Sequence, residues 1–309
     1  LPKRSQFTDA GERAAGDILL RAYMCDMSLS REQHAVIHLC RRIKKIGKLL
    51  GSYIRKLKPF DAAIDPNRHL AVWPDGRLRV NWNATGTNVG RLSCGGKPSK
   101  TSVQVIPGSL KDCYIPAPGH VFVGADLAAI HLVIIAQLWN IPSLQAEFLS
   151  ANPDPHASLA RIINPAFDTL PGHPSADNNF EWQGAARRDR NTAKSLRYAG
   201  AYRAGVPTIH ATMTRTEDEN GVLTNRTLTQ AAVQAYYDRW MGAEPEWRQA
   251  WDRELSMFRA HGYTCSPILG RRSDIPDGDP SAIINARILK TEGDIMSTAT
   301  VRVRNRYPP

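Results

Sequence analysis

Arg190, Lys194, Tyr198 and Tyr202 stand four residues apart. On an α-helix that spacing stacks them along one face, each about one turn above the last. Two cations followed by two aromatic rings suit a nucleoside triphosphate: guanidinium and ammonium meet phosphate oxygens, and a ring lies against base or sugar. A surface helix with its tyrosines packed inward and its cations in water fits the same spacing. A second candidate is Asp126, which follows directly on the apolar run Val121-Phe122-Val123-Gly124-Ala125, read as a short buried strand. A carboxylate at a strand end can bind a hard cation such as Mg²⁺, or it can cap the helix expected from 128 to 139. A third is Thr85-Gly86-Thr87-Asn88-Val89-Gly90-Arg91-Leu92-Ser93 with Gln104-Val105-Ile106-Pro107. Its glycines allow close backbone approach to phosphates, and Arg91 with Gln104 offers planar donors for a groove edge. A plain surface loop fits this stretch as well.

These residues need elements to hold them. Residues 31 to 57 read as a helix with Ser30 as N-cap. Its apolar stripe is Val36, Ile37, Leu39, Cys40, Ile43, Ile46, Leu49, Leu50 and Ile54, and its other face is basic. Residues 70 to 82 read as a hairpin turning at Asp75-Gly76, with Leu78, Val80 and Trp82 alternating. A Gly/Ser/Lys-rich loop runs from Ser93 to Ser102. Residues 150 to 182 are rich in Pro, Asn and Gly, with one short helix near His156 to Ile163. Helical periodicity covers 183 to 204, 227 to 240 and 244 to 261. Tyr263 to Leu269 reads as a strand turning at Gly270, and Pro280 to Val303 as a long helix opened by Ser281. The class is α+β, with long helical excursions between short strands.

Composition bounds the function. Of 309 residues, 42% are hydrophobic and 22% charged, which suits a packed core. The most apolar stretch, Leu132 to Leu138, is far short of the roughly 18 residues of a membrane span. Net charge is +11, which points weakly to polyanionic partners. Cys25, Cys40, Cys94, Cys113 and Cys265 are scattered, odd in number and without a CxxC pair. That pattern argues against a disulfide framework or a zinc site and suits a reducing cytosol. Leu1 at the start and Pro309 at the end read as cuts, or as the ends of a gene that is itself incomplete.

Taken in order, the segments resemble family A DNA polymerases of the bacterial polymerase I type. Gly90-Arg91-Leu92-Ser93 with Gln104-Val105-Ile106-Pro107 is similar to TGRLS…LQNIP, and Asp126 to Leu132 to motif A, usually DYSQIELR. Asp154-Pro155-His156 resembles DIH, and the Arg190 to Tyr202 ladder resembles motif B on the O helix. Gly270-Arg271-Arg272 resembles GRRR. Asn285 with Thr291 to Met296 resembles NxxxQGTAADLM, and Arg41 to Leu57 resembles a thumb helix. The likeness runs from about residue 35 to residue 303.

The resemblance implies a right-hand polymerase architecture with a partial thumb (1–62), an incomplete palm (63–140), helical fingers (141–280) and the start of a second palm segment (281–309). It implies Asp126 and the Leu127 carbonyl as ligands of Mg²⁺, with Mn²⁺ as substitute. Asp126 and Lys194 become the catalytic groups, and Arg190, Lys194, His156, His131, Tyr198 and Tyr202 the dNTP site. Arg91, Gln104 and Asn285 would touch primer–template DNA. A cytoplasmic setting in a bacterium, plasmid or phage follows, with no membrane.

Departures from the pattern set further expectations. His131 replaces the motif A Glu that screens the ribose 2′-hydroxyl, and Leu127 and Ala129 replace its Tyr and Gln. Ala199 and Arg203 stand where motif B has glycines, and Leu289 where a Gln meets the template. The HDE segment that supplies a second carboxylate does not occur in the chain, so weak or no activity is expected alone, with a downstream segment or second polypeptide completing the site. Two other readings stay open: a non-catalytic nucleic-acid-binding remnant, and a relative of single-subunit RNA polymerases.

Overall fold

The computed structural model describes residues 20, 23–24, 26, 28–55, 72, 75–84, 86–95, 102–151, 153–164, 185–215, 225 and 227–307. Several expected features lie outside these: Cys25, residues 56–57 of the first helix, most of the first hairpin arm, Thr85, residues 96–101 of the Gly/Ser/Lys loop and most of the Pro/Asn/Gly-rich stretch. The chain forms two compact units, Arg31–Ala128 with Gly293–Pro309 and Leu1–Ser30 with Ala129–Glu292.

In the first unit, α1 (Arg31–Leu49) runs into a π-helical turn at Leu50–Ile54. The helix lies where its periodicity places it, but the faces are not those expected. Val36 is 60% exposed and Ile43 60%, whereas Arg41 is 3% exposed. Periodicity names a face without naming what covers it. The buried Tyr53 donates its hydroxyl to the Val105 carbonyl at 2.7 Å, tying the helix end to the Gln104–Pro107 segment.

The hairpin turn forms at Asp75-Gly76, with Gly76 at φ +76°. Arg79 binds Asp75 through both terminal nitrogens at 2.9 and 2.6 Å, and its guanidinium, with the Arg77 backbone N–H, holds the carboxyl down at about 2. Beyond the turn, pairing among the described residues is a single bridge, Val72 to Leu78. β1 (Trp82–Asn83) then pairs antiparallel with β2 (Ser93–Cys94), Trp82 opposite Cys94, so the Gly90-Arg91 loop is their connection. A short helix, α2 (Gly108–Lys111), follows.

The expected strand at 121–125 does not form. Val121, Phe122 and Val123 are 80%, 69% and 90% exposed, with no regular structure from 121 to 127. A strand is completed only by a neighbour that takes its N–H and C=O groups. The described ladders are β1 with β2 and β3 with β4, and neither includes these residues.

The second unit is helical. α3 (Ile130–Leu138), α4 (Pro142–Leu149), α5 (Pro155–Ile163), α6 (Ala185–Ala201), α7 (Val206–Thr214), α8 (Gln230–Ala243) and α9 (Glu246–His261) follow in order. β3 (Thr264–Cys265) and β4 (Arg272–Ser273) then pair antiparallel, turning at Gly270, and α10 (Pro280–Arg306) closes the chain. Each expected helix in this region forms. α10 is capped by Asp279, whose Oδ2 accepts from the Ala282 N–H at 2.7 Å, two residues before the expected Ser281.

The core of this unit is made of Leu132 and Ile135 from α3, Leu159 from α5, Leu196 from α6, Ile209 from α7 and Trp240 from α8, each fully buried. Burial of such side chains stabilises by roughly 1.5–3 kcal/mol apiece. Three indoles stack edge-on at its centre, Trp240 to Trp247 at 5.0 Å and Trp139 to Trp247 at 5.8 Å. Their N–H groups meet buried carboxylates: Trp240 and Trp247 donate to Glu244 at 2.8 and 2.7 Å, and Trp139 donates to Glu254 at 3.0 Å. Arg197, fully buried on α6, donates to the other Glu244 oxygen at 2.8 Å. A charge at that depth persists only because it is paired.

Helices pack closely where a residue lacks a side chain. A Cβ on Gly200 would lie 2.3 Å from the Trp240 ring, so α6 and α8 meet there at a distance only glycine permits. Within the first unit, a Cβ on Gly293 of α10 would lie 2.8 Å from the Val89 carbonyl, so the Gly90-Arg91 loop rests on helix backbone.

Candidate functional site

Arg190, Lys194 and Tyr198 lie on α6 as their spacing predicts, and Tyr202 follows directly on its last residue, Ala201. Ala193, Leu196, Arg197, Gly200 and Ala201 face the core, while Arg190, Tyr198 and Tyr202 are half-buried and Lys194 is exposed. A stripe at every fourth position therefore occupies the solvent side of the helix, where a ligand can reach it.

Neighbouring elements hold the rungs. Arg190 donates its Nε–H to Asp154 at 2.7 Å, and its side chain stays 30% exposed. Asp154 is also the N-cap of α5, accepting from the His156 and Ala157 backbone N–H groups at 3.1 and 3.0 Å. The first turn of α5 thus sets His156 beside Tyr198, with ring centroids 5.4 Å apart and planes tilted by 45°. At the far end, the Tyr202 hydroxyl meets His131 Nδ1 at 2.6 Å, and His131 Nε2 meets Glu292 at 2.9 Å.

His156 reports the field of the site. Burial, then the charges of Arg190 and Arg197, push its pKa down to about 3; Asp154 opposes the shift and Lys194 adds to it. The imidazole is therefore neutral near pH 7, surrounded by cations, and 94% buried by its 6% exposure. Its Nδ1 has no hydrogen-bond partner in the protein. A buried polar atom without a partner beside three cations suits an arriving anion.

The duplex-facing candidates divide between the units. Gln104 donates from Nε2 to the Leu92 carbonyl at 2.7 Å, and Thr87 Oγ1 donates to the Arg91 carbonyl at 2.8 Å, so the two segments read together in the sequence are joined in space. Arg91 is half-buried and Gln104 exposed. Asn285 lies half-buried on α10, in the other unit.

Asp126 and Leu127 are exposed, in a segment without regular structure. Asp126 does not cap α3, whose N-cap is Ala129 in the left-handed region at φ +50° with no side-chain bond. No group of three His, Cys, Asp or Glu side chains gathers at a metal-binding distance among the described residues. One carboxylate and one carbonyl do not make a two-cation site, so these residues do not by themselves fit the metals expected there.

Asp154 and Glu292 were missed as site residues in the sequence. Asp154 carried a signal, since Asp before Pro and three residues ahead of an apolar periodic run marks an N-cap. Glu292 carried a paired one: His131 stands where motif A has Glu, and Glu292 where the TAAD pattern has Ala.

A family model, DNA polymerase family A, matches residues 22–307. The chain is 21% identical over 251 residues to the DNA polymerase of Escherichia phage T5, covering 76% of this chain and 26% of that protein. It is 24% identical over 244 residues to DNA polymerase I of Rhizobium leguminosarum, covering 74% and 21%. With the thermostable DNA polymerase I of Thermus filiformis it shares 22% over 298 residues, covering 90% and 30%. The chain thus spans under a third of the length of these relatives. Its fold is similar to the POL domain of Pol1 from M. smegmatis, solved in complex with DNA primer-template and dNTP, with a TM-score of 0.64 and 20% identity over 98% of this chain and 47% of that one. With an α+β fold and a family match over nearly its whole length, this chain belongs to DNA polymerase family A.

Proposed function

We propose that the chain is the nucleotide-binding core of a template-directed DNA polymerase, which joins a dNTP to a primer 3′-hydroxyl with loss of pyrophosphate. The observation that carries this reading is the buried, neutral, unpartnered His156 between Arg190 and Tyr198. Phosphoryl transfer asks the protein mainly for alignment and charge neutralisation. Lys194 and the terminal nitrogens of Arg190 neutralise the triphosphate, the Arg190 Nε being committed to Asp154. His156 adds a neutral hydrogen bond to the same oxygens. Tyr198 stacks beside the incoming sugar and base, Tyr202 stands at the templating position, and His131, joined to it, stands where the gate against the ribose 2′-hydroxyl is expected. Arg91, Gln104 and Asn285 touch primer and template. In this reading residues 1–62 form the partial thumb, 63–140 the palm, 141–280 the fingers and 281–309 the second palm segment.

Asp126 and the Leu127 carbonyl are the donor set this chain would offer a divalent metal, which would supply charge neutralisation at the triphosphate. Because that set holds one carboxylate, weak turnover is expected from this chain alone, rising when a segment carrying a second acid is supplied. A second reading, a nucleic-acid-binding protein without catalysis, draws on the same incomplete donor set. The assay is primer extension with dNTPs and Mg²⁺ or Mn²⁺, run beside primer–template binding across a salt series. Binding without extension even after the acid-bearing segment is added favours the second reading. Absence of nucleotide and DNA binding sinks both.

A further inference from the structure

Tyr202, His131 and Glu292 come from the turn just past α6, the start of α3 and the middle of α10. They form a continuous chain: phenol to Nδ1 at 2.6 Å, then Nε2 to carboxylate at 2.9 Å. The phenol and imidazole rings meet edge-on, 77° apart. The His131 and Glu292 side chains are 20% and 15% exposed, so water competes poorly for these bonds.

The order of protons along this chain is set at one end. An ionised carboxylate can only accept, so Nε2 must carry a hydrogen to meet Glu292. A neutral imidazole is then bare at Nδ1, and that nitrogen accepts from the Tyr202 hydroxyl. Tyr202 needs such a tether. α6 ends at Ala201, and Arg203 turns into the left-handed region at φ +60°, so the helix does not itself fix this rung.

We propose that Glu292 is a positioning residue for the nucleotide site. Acting through His131, it locks the imidazole in the Nε2–H tautomer and so fixes the Tyr202–His131 pair as a wall against the sugar of a bound nucleoside triphosphate. This rests on the assignment of the α6 face to nucleotide binding. A carboxylate 161 residues away in sequence from His131 thereby governs which sugar the site accepts.

The test has two independent readouts on the full chain. Imidazole ¹⁵N NMR reads the His131 tautomer, assigned with His131→Asn. Equilibrium binding of dATP and ATP to the chain on a primer–template ending opposite dT reads sugar preference without turnover. Wild type is expected to show protonated Nε2 and bare Nδ1. Glu292→Gln keeps an accepting oxygen and is expected to keep both the tautomer and the deoxy-to-ribo affinity ratio. Glu292→Leu is expected to let Nδ1–H appear and to change the ratio about tenfold, the scale of one hydrogen bond. Tyr202→Phe is expected to keep the Nε2–H tautomer yet change the ratio as Glu292→Leu does, and it serves if the leucine variant does not fold. An Nδ1–H tautomer in wild type, or an unchanged ratio in Tyr202→Phe, overturns the proposal. The expected tautomer with no nucleotide binding by wild type instead overturns the polymerase reading, and the positioning role falls with it while the tether stands.

Discussion

Arg190 is held to Asp154 by an Nε–H donated to Oδ2 across 2.7 Å, while Oδ1 of that carboxyl group starts α5 by accepting from two backbone N–H groups. One acid therefore sets both the first cation of the ladder and the turn that presents His156. Asp154 is 2% exposed, so neither function is shared with water.

Substitution at Asp154 separates the two functions. Asp154→Asn keeps a capping oxygen but removes the charge that holds Arg190, and is expected to cost about 1 kcal/mol of stability. Asp154→Ala also orphans the α5 N–H groups and is expected to cost about 2–4 kcal/mol. Urea unfolding midpoints of the two variants check the order. Equal losses would mean that the cap contributes nothing.

The depressed pKa of His156 predicts a pH dependence with a definite sign. Its native pKa lies near 3, against about 6.5 when unfolded. Between those values the unfolded chain binds a proton that the folded chain refuses, so stability falls as pH drops below about 6.5 and is flat above it. From pH 6.5 to 5 the loss is expected to be about 1–2 kcal/mol. Urea titrations of wild type and His156→Gln at both pH values measure it, and the difference should vanish from the variant.

Arg203 adopts φ +60° at a position where motif B relatives carry glycine. Holding a residue with a Cβ there costs on the order of 1 kcal/mol or more. Glycine removes that strain but gives the unfolded chain more freedom. Arg203→Gly is therefore expected to be neutral to stabilising, by up to about 1 kcal/mol, whereas most changes to a long surface side chain do nothing for stability. A fall in unfolding midpoint would contradict the strain.

Gly200→Ala should do the opposite of what helix propensity suggests. Alanine is favoured over glycine by about 1 kcal/mol inside a helix. Here the added methyl would meet the Trp240 ring at 2.3 Å, and that ring is fully buried. Overpacking is expected to win, with a net loss of about 1–3 kcal/mol. Thermal unfolding tests it, and Trp240→Phe in the same chain should restore part of the loss by opening room.

Helices were legible because a helix closes its hydrogen bonds inside its own segment, so apolar spacing and caps report it directly. For the same reason the ladder was legible: Arg190, Lys194 and Tyr198, four apart on a regular helix, share a face whatever surrounds them, and Tyr202 continues the spacing one residue past the helix end. The long-range partners were not. Residues 121–125 have β-branched composition but no neighbouring strand among those described, so the hydrophobic run alone did not make a strand.

Sequence by itself determined which residues line the outer face of α6, where α3, α5, α6, α8, α9 and α10 run but not α4 or α7, and that Gly90-Arg91 and Gln104 belong together. Tertiary structure decided the burial of Arg41 rather than its apolar neighbours, the neutrality of His156, the capture of Arg190 by Asp154, and the joining of His131 to Glu292. The division has a physical cause. Backbone periodicity is a local property, written in residues three and four apart. The charge state and orientation of a polar side chain depend on desolvation and on partners delivered from other helices, which spacing along the chain does not encode.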